Sequence, residues 1–413
     1  MNLSGKLKAQ RAKAEYIDST VFVSVLILSA LGVLMVFSIT GTSVFNNRAG
    51  DRLSYMIHSV TGVVLGLIGM GAMAILPHKW YRGKMALLAF LFTAVIFIIT
   101  PFFGSDTYAS PDVRRWLEIG PIRFQAVDLA RIGFVISLAW LINLLIEKKL
   151  YYSNKLRSSY LIPLVYVIMC ALAVMAQPDL GSTLVIFGTG IIVFLSSGLA
   201  IKQIIVFLVI ALGLVGGIAI FGVYVLNLEY YQVTRIAAWI DPFNHDLGRQ
   251  SVMGFISIAL GGWSGVGLGN SRQALGFAIE PHTDLIVTIL AEELGFIAVL
   301  IIMILYFVIA VKCFLTALKA SDVFSALVCV GIGAFFLLQP LVNLGGASGL
   351  IPLSGVTLPL ISYGMTSKVS TFVMIGIYFN MRRHILLTEA IMPPQEEQTL
   401  EKKVVPFPPV KNV

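Results

Sequence analysis

Long apolar runs recur along this chain, separated by short polar stretches. Each run is close to the roughly 20 residues that cross a hydrocarbon core as a helix. They predict spans at 17–39, 55–76, 84–103, 125–146, 160–177, 180–200, 203–226, 284–311, 322–344 and 361–381. The runs are continuous, whereas a transmembrane barrel shows alternating segments of about ten residues. The expected fold is therefore all-α and integral to a membrane, with about ten transmembrane helices. A large loop, 227–283, separates the seventh and eighth spans and is too long to be a mere connector. The predicted organisation is a short segment 1–16, a polytopic membrane domain 17–384, and a tail 385–413. The tail contains PPQEEQTLEKK and VVPFPPVKNV, a polar, Pro-rich composition that predicts disorder.

Composition agrees. Of 413 residues, 58% are hydrophobic and 12% charged, and the mean hydropathy is +0.90; soluble domains carry about 25% charged residues. The first run, Ile17–Ser38, is too long for a signal-peptide core and is expected to be a retained span. The net charge of +8 is explained by its placement. With the N-terminus in the cytoplasm, the inner segments hold Lys6, Lys8, Arg11 and Lys13, then Lys79, Arg82 and Lys84, then Lys148, Lys149, Lys155 and Arg157. That bias follows the positive-inside rule and puts both termini in the cytoplasm of a cell whose anionic inner leaflet is the partner, with no nucleic acid implied. The outer basic residues are all arginine, among them Arg114, Arg115, Arg123, Arg235, Arg249 and Arg272. Guanidinium groups grip phosphate and carboxylate bidentately, so this choice suits a phosphate-bearing ligand.

Ionisable groups within or at the mouths of spans are expensive and are candidates for function. Asp128 and Arg131 stand three apart on one helix face and can neutralise each other or contact substrate. Asp179 follows Gln177 and Pro178 in the turn between two spans, where it can cap a helix or serve a ligand. In the segment EPHTDLIVTILAEELG (280–295), Asp284 lies where the long loop enters a helix. With Thr283 as N-cap it would occupy the first turn, where the helix dipole favours a carboxylate. Glu292 and Glu293 lie deeper and read as structural groups, bonded inside the bundle or to water. Lys368 is a charge inside the last span.

Other features exclude chemistries. GGWSGVGLGN (261–270) lacks the strand–turn–helix setting of a dinucleotide fingerprint and reads as a compact loop of tight turns. Cys170, Cys313 and Cys329 have no CxxC spacing and read as packing residues. His282 has no partner at ligand spacing, and the chain's 5 histidines are scattered, so no metal set is visible. Residues 104–124, with the run RRWLEIGPIRF, alternate charge and bulk like a helix or hairpin lying in the interface.

Six ordered segments carry a resemblance: RRWLEIGPIRFQ, QPDLGSTL, RIAAWIDPF, GGWSGVGLGNSRQ, EPHTDLIVTILAEELG and GLIPLSGVTLPLISYG. Over residues 17–384 the chain resembles the SEDS (FtsW/RodA/SpoVE) family of shape, elongation, division and sporulation proteins, with EPHTD leaning to the division type. It departs from the family at QAVDLAR (125–131) and at Met365–Lys368 after SYG. The resemblance implies a peptidoglycan glycosyltransferase that polymerises lipid II into β-1,4 glycan on undecaprenyl diphosphate, at the outer face of the bacterial cytoplasmic membrane. It implies Asp284 as the catalytic base, with Arg114, Arg115, Asp128, Arg131, Asp179, Arg235, Glu280 and His282 on the substrate. The implied partner is a class B penicillin-binding transpeptidase. No cofactor is expected, and a divalent cation is compatible with a pyrophosphate. A flippase for the lipid-linked precursor and a non-catalytic scaffold are the competing readings. The buried Asp128 and Arg131 suit the flippase, whereas a carboxylate at the membrane edge favours the polymerase.

Overall fold

The computed structural model describes residues 15–42, 49–107, 110–119, 122–148, 161–198, 213, 231–245, 248–273, 284–353 and 355–391. Four helices come first: α1 (Ser19–Thr42), α2 (Ala49–Ile75), the single turn α3 (His78–Arg82) and α4 (Lys84–Phe103). Three short strands follow, β1 (Ser105–Thr107), β2 (Ser110–Ile119) and β3 (Ile122–Gln125), and lead directly into α5 (Ala126–Glu147). After α6 (Leu161–Met175) and α7 (Leu180–Leu195) come two shorter helices, α8 (Tyr231–Ile240) and α9 (Arg249–Gly261). The chain closes with α10 (Ile286–Leu318), α11 (Val323–Ala347) and α12 (Met365–Ile391).

Among the described residues, α1, α2, α4, α5, α10 and α11 are long and apolar enough to cross a membrane, and α6 and α7 are shorter apolar helices. Leu88, Ile98 and Phe102 on α4 stay well exposed, as side chains facing hydrocarbon would be. This is a multi-pass membrane protein. The expected span 203–226 lies almost wholly outside the described residues. Two corrections concern the C-terminal helix. It starts at Met365 rather than 361, and it continues to Ile391, so the expected disordered tail from 385 begins as helix. Its polar load, Lys368 near one end and Arg382, Arg383 and His384 near the other, is tolerated because neighbouring helices surround it. Lys368, Phe372, Ile375 and Tyr378 are all fully buried.

Where 104–124 reads as a helix or hairpin, the chain forms a three-stranded antiparallel sheet in the order β1-β2-β3. Trp116 pairs with Gln125 and Ile119 with Ile122, a tight hairpin that caps one end of the bundle. Glycines set how closely two helices of this bundle approach. A Cβ at Gly376 on α12 would lie 2.3 Å from the Met70 carbonyl oxygen of α2, and one at Gly66 would lie 2.3 Å from the Phe372 ring. Backbones meet there without a driving force from lipid, through packing alone.

The long helix α10 is broken. At 33 residues it would run about 50 Å as one rod, against a hydrocarbon core of about 30 Å. Gly295 has φ 81° and interrupts the ladder. The loop after α9 fills the gap: Val266 N–H donates to the Glu292 carbonyl (2.9 Å) and Gly267 N–H to the Glu293 carbonyl (2.9 Å). In return Phe296 N–H donates to the Gly262 carbonyl (2.9 Å) and Ile297 N–H to the Trp263 carbonyl (3.3 Å). The side chain of Glu292 secures the same loop, and that of Glu293 binds Ser38 of α1, whose Oγ accepts from Gly269 N–H of the loop (3.0 Å). Glu292 accepts from Ser271 Oγ (2.7 Å) and Arg272 N–H (2.8 Å), and Glu293 accepts from Ser38 Oγ (2.7 Å).

At the end of the bundle away from the sheet, Asp18 pairs with Lys312 and Arg382, each at 3.5 Å. There too the His78 and His384 rings stack with centroids 3.7 Å apart. Burial first, and then the neighbouring His384, lower the His78 imidazole from 6.5 to about 4. The unfolded chain therefore binds this proton more readily than the folded one, so His78 removes stability as the pH falls from about 6.5 towards 4. Thermal unfolding in detergent should show that loss, and His78→Gln should flatten it. In the same assay Gly376→Leu is expected to cost at least about 1–3 kcal/mol through overpacking. Gly71→Ala, whose Cβ meets nothing within 4 Å, is expected to be neutral or better.

Candidate active site

Asp284 sits at the sheet end, but not in the first turn of a helix. The N-cap of α10 is Leu285, and it makes no side-chain cap bond. Asp284 therefore precedes the cap, and dipole complementarity within the first turn does not account for it. Thr283, Glu280 and His282 lie outside the described residues. The Asp284 backbone is held by Asn343 of α11, whose Nδ2 donates to the Asp284 carbonyl at 3.0 Å and to the Val356 carbonyl at 2.6 Å. Facing it is Gly355, with φ 71°. A methyl group placed there would come 3.3 Å from Asp284 Oδ2 and 3.1 Å from Arg115 Nη1. The carboxylate and the guanidinium thus share the space in front of a glycine.

Arg115 is buried on β2. Its Nε donates to the Gln177 carbonyl at 3.2 Å and its Nη2 to the Pro178 carbonyl, which fixes the guanidinium plane against the α6–α7 turn. Asp179 in that turn is fully buried and caps α7: Oδ1 accepts from Ser182 N–H (3.0 Å), and Oδ2 accepts from Ser182 Oγ (2.8 Å) and Gln125 Nε2 (3.3 Å). Capping and tying β3 to this turn account for its bonds. Arg114 lies on β2 in register with Asp106, and its side chain is outside the described residues. Arg235 on α8 donates from Nη1 to the Leu353 carbonyl, and Trp239 Nε1 donates to the Gly349 carbonyl (2.7 Å), so α8 is docked on the segment that leads to Gly355.

Deeper in the bundle, Asp128 and Arg131 form a buried ion pair at 3.2 Å. Arg131 also donates to Gln339 Oε1 (2.9 Å) and Ser370 Oγ (2.6 Å), and its guanidinium lies 4.5 Å from the centre of the Phe335 ring. Gln339 Nε2 passes the connection on to the Thr357 carbonyl (2.7 Å). A narrow cavity of about 20 Å³ touches Gln125, Asp128, Arg131, Ser182, Gln339 and Thr357, space for about one water. Lys368 Nζ donates to Ser59 Oγ on α2. The residues that sequence reasoning passed over are Gln339, Asn343 and Gly355. Amides in the middle of the apolar run of α11 were the available sign, since a polar side chain there needs a partner.

An apolar helical bundle around a buried charge pair, with a carboxylate and a buried arginine brought together at one end, defines a multi-pass membrane protein with a polar site at a membrane edge. Comparison with known proteins narrows this. Residues 18–386 match the FtsW/RodA/SpoVE family model, described as cell cycle protein. The probable peptidoglycan glycosyltransferase FtsW of Saccharophagus degradans is 32% identical over 391 residues, 92% of this chain and 96% of that one. Stage V sporulation protein E of Bacillus subtilis is 29% identical, covering 89% and 97%. A chain from a peptidoglycan synthase complex solved for its coordination of polymerization and crosslinking superposes with a TM-score of 0.67 at 25% identity, covering 87% and 97%. The chain belongs to the FtsW/RodA/SpoVE family.

The buried pair gives a stability test. Removing one partner of such a pair typically costs about 3–5 kcal/mol, because the other charge is left uncompensated. Asp128→Asn and Arg131→Gln should each lower the unfolding midpoint of the purified protein, and the double variant should lose less than the sum of the two.

Proposed function

We propose that this chain is a peptidoglycan glycosyltransferase that joins lipid II units into β-1,4 glycan at the outer face of the bacterial cytoplasmic membrane. Membership of the family and the names of its relatives support the reaction class. The observation that carries the assignment of roles is the shared space of Asp284 and Arg115 in front of Gly355. Asp284 takes the proton from the acceptor sugar's 4-hydroxyl as that oxygen attacks the anomeric carbon of the donor strand. The bond from that carbon to the pyrophosphate breaks with inversion, and undecaprenyl diphosphate leaves. Arg115, held rigid by two carbonyls, supplies preorganised positive charge for the departing pyrophosphate. The family resemblance adds Arg114, Arg235, Glu280 and His282, with Asp128, Arg131 and Asp179, as candidate substrate contacts.

In this reading the sheet end faces outward, and the lysine-rich segments and both termini lie in the cytoplasm, as the positive-inside distribution supports. The likeness to a chain of a complex that couples polymerization to crosslinking supports a class B penicillin-binding transpeptidase as partner.

The test is polymerisation of labelled lipid II by the purified chain with its cognate transpeptidase. Asp284→Ala should lower the rate about 10²–10⁴-fold, the usual worth of general-base assistance, and Arg115→Lys should also slow it. Long glycan from Asp284→Ala at the wild-type rate would remove Asp284 as the base. Failure of a well-folded wild-type complex would bring the flippase and scaffold readings forward.

A further inference from the structure

Three residues far apart in sequence meet at the end of the bundle away from the sheet. They are His78 in α3, Asp322 at the N-cap of α11, and His384 in α12. One ligand-type atom from each lies within 4.8 Å of the other two, and all three side chains are half-buried. Asp322 divides its carboxylate between two tasks. Oδ1 accepts from Ser325 N–H at 2.9 Å and so fixes the group as a helix cap. Oδ2 is buried, accepts no hydrogen bond among the described residues, and lies 3.6 Å from His384 Nε2. His78 is oriented by contact of its Nε2 with Ser325 Oγ at 3.0 Å. Its ring is nearly parallel to that of His384, with an angle of 8° between them.

We propose that His78, Asp322 and His384 form a binding site for a borderline divalent transition-metal ion, with zinc as its first occupant. Two imidazoles and one carboxylate are the donor set that such ions prefer, whereas magnesium and calcium ask for oxygen alone. Zinc takes nitrogen and carboxylate oxygen at about 2.0–2.2 Å, so ligand atoms on one ion stand roughly 3.3–3.5 Å apart. Because the two rings are stacked and nearly parallel, coordination requires one of them to rotate out of the stack so that its in-plane lone pair meets the other ligands at a common point. A water completes the fourth position. The ion satisfies Asp322 Oδ2, which is buried and accepts no hydrogen bond among the described residues. Arg82 is the cation within electrostatic reach of His78, and it is paired with Glu147.

This site is separate from the sugar chemistry. Asp322 and Asn343 lie on the same helix, about 30 Å apart at 1.5 Å per residue. Its effect is to tie α3, α11 and α12 together at one end of the bundle.

The experiment uses the full chain in lipid nanodiscs, carrying no histidine tag and stripped with chelator, titrated with Zn²⁺ against a chromophoric competitor. One equivalent should bind at submicromolar affinity. His384→Ala should abolish that equivalent, and Asp322→Asn, which still caps α11, should weaken it at least about tenfold. His58→Ala and His245→Ala should leave it unchanged. Zn²⁺ should raise the unfolding midpoint of the wild type and not of His384→Ala, and Co²⁺ should give tetrahedral visible absorption in the wild type alone. The proposal is overturned if a folded wild type binds no stoichiometric zinc. It is equally overturned if both site variants bind it as the wild type does.

Discussion

Main-chain N–H and C=O groups inside a membrane protein have no water to turn to, and every departure from helix must be repaired by a named partner. Two such departures organise this protein. One is the non-helical segment with Leu353 and residues 355–359, whose carbonyls at Leu353, Val356, Thr357 and Pro359 are taken up by Arg235, Asn343, Gln339 and the Tyr306 hydroxyl. The other is the break in α10, repaired by the backbone of the loop that follows α9. One of the residues that serve the first break also holds Asp284. Asn343 ties that segment to the Asp284 backbone.

The site thus inherits its rigidity from a structural debt. Gly355 is bare because two charged side chains crowd the position a methyl would take. Arg131 links the central pair to Gln339 and, through it, to Thr357 two residues beyond that glycine. A short run of hydrogen bonds thus joins the buried pair to the segment that carries Gly355.

Much of this was legible in the sequence because hydropathy measures the dominant cost directly. Runs such as those of α1 and α4 had to be spans, and the ordered motifs pointed to the family. Helix α12 was harder, because its boundaries are set by burial among neighbours rather than by its own apolarity. Asp284 does stand just before a helix, as its sequence position suggested, but its offset from the first turn depends on where Leu285 caps. The His78–His384 stack was invisible: residues 306 positions apart carry no spacing rule, and only the packing of α12 beside α3 joins them. Gln339 and Asn343 could have been found, since an amide in an apolar run needs a reason.

The repair of α10 carries a consequence for how the family can vary. The splint is made of main-chain atoms, so the side chains of Val266 and Leu268 are free to drift over evolutionary time. Its length is not. One residue inserted between Gly262 and Gly267 would shift the register of paired backbone groups on both sides of Gly295. Composition is held at one point as well: a Cβ at Gly265 would lie 2.2 Å from the Glu293 carbonyl oxygen, so that glycine is fixed along with the length.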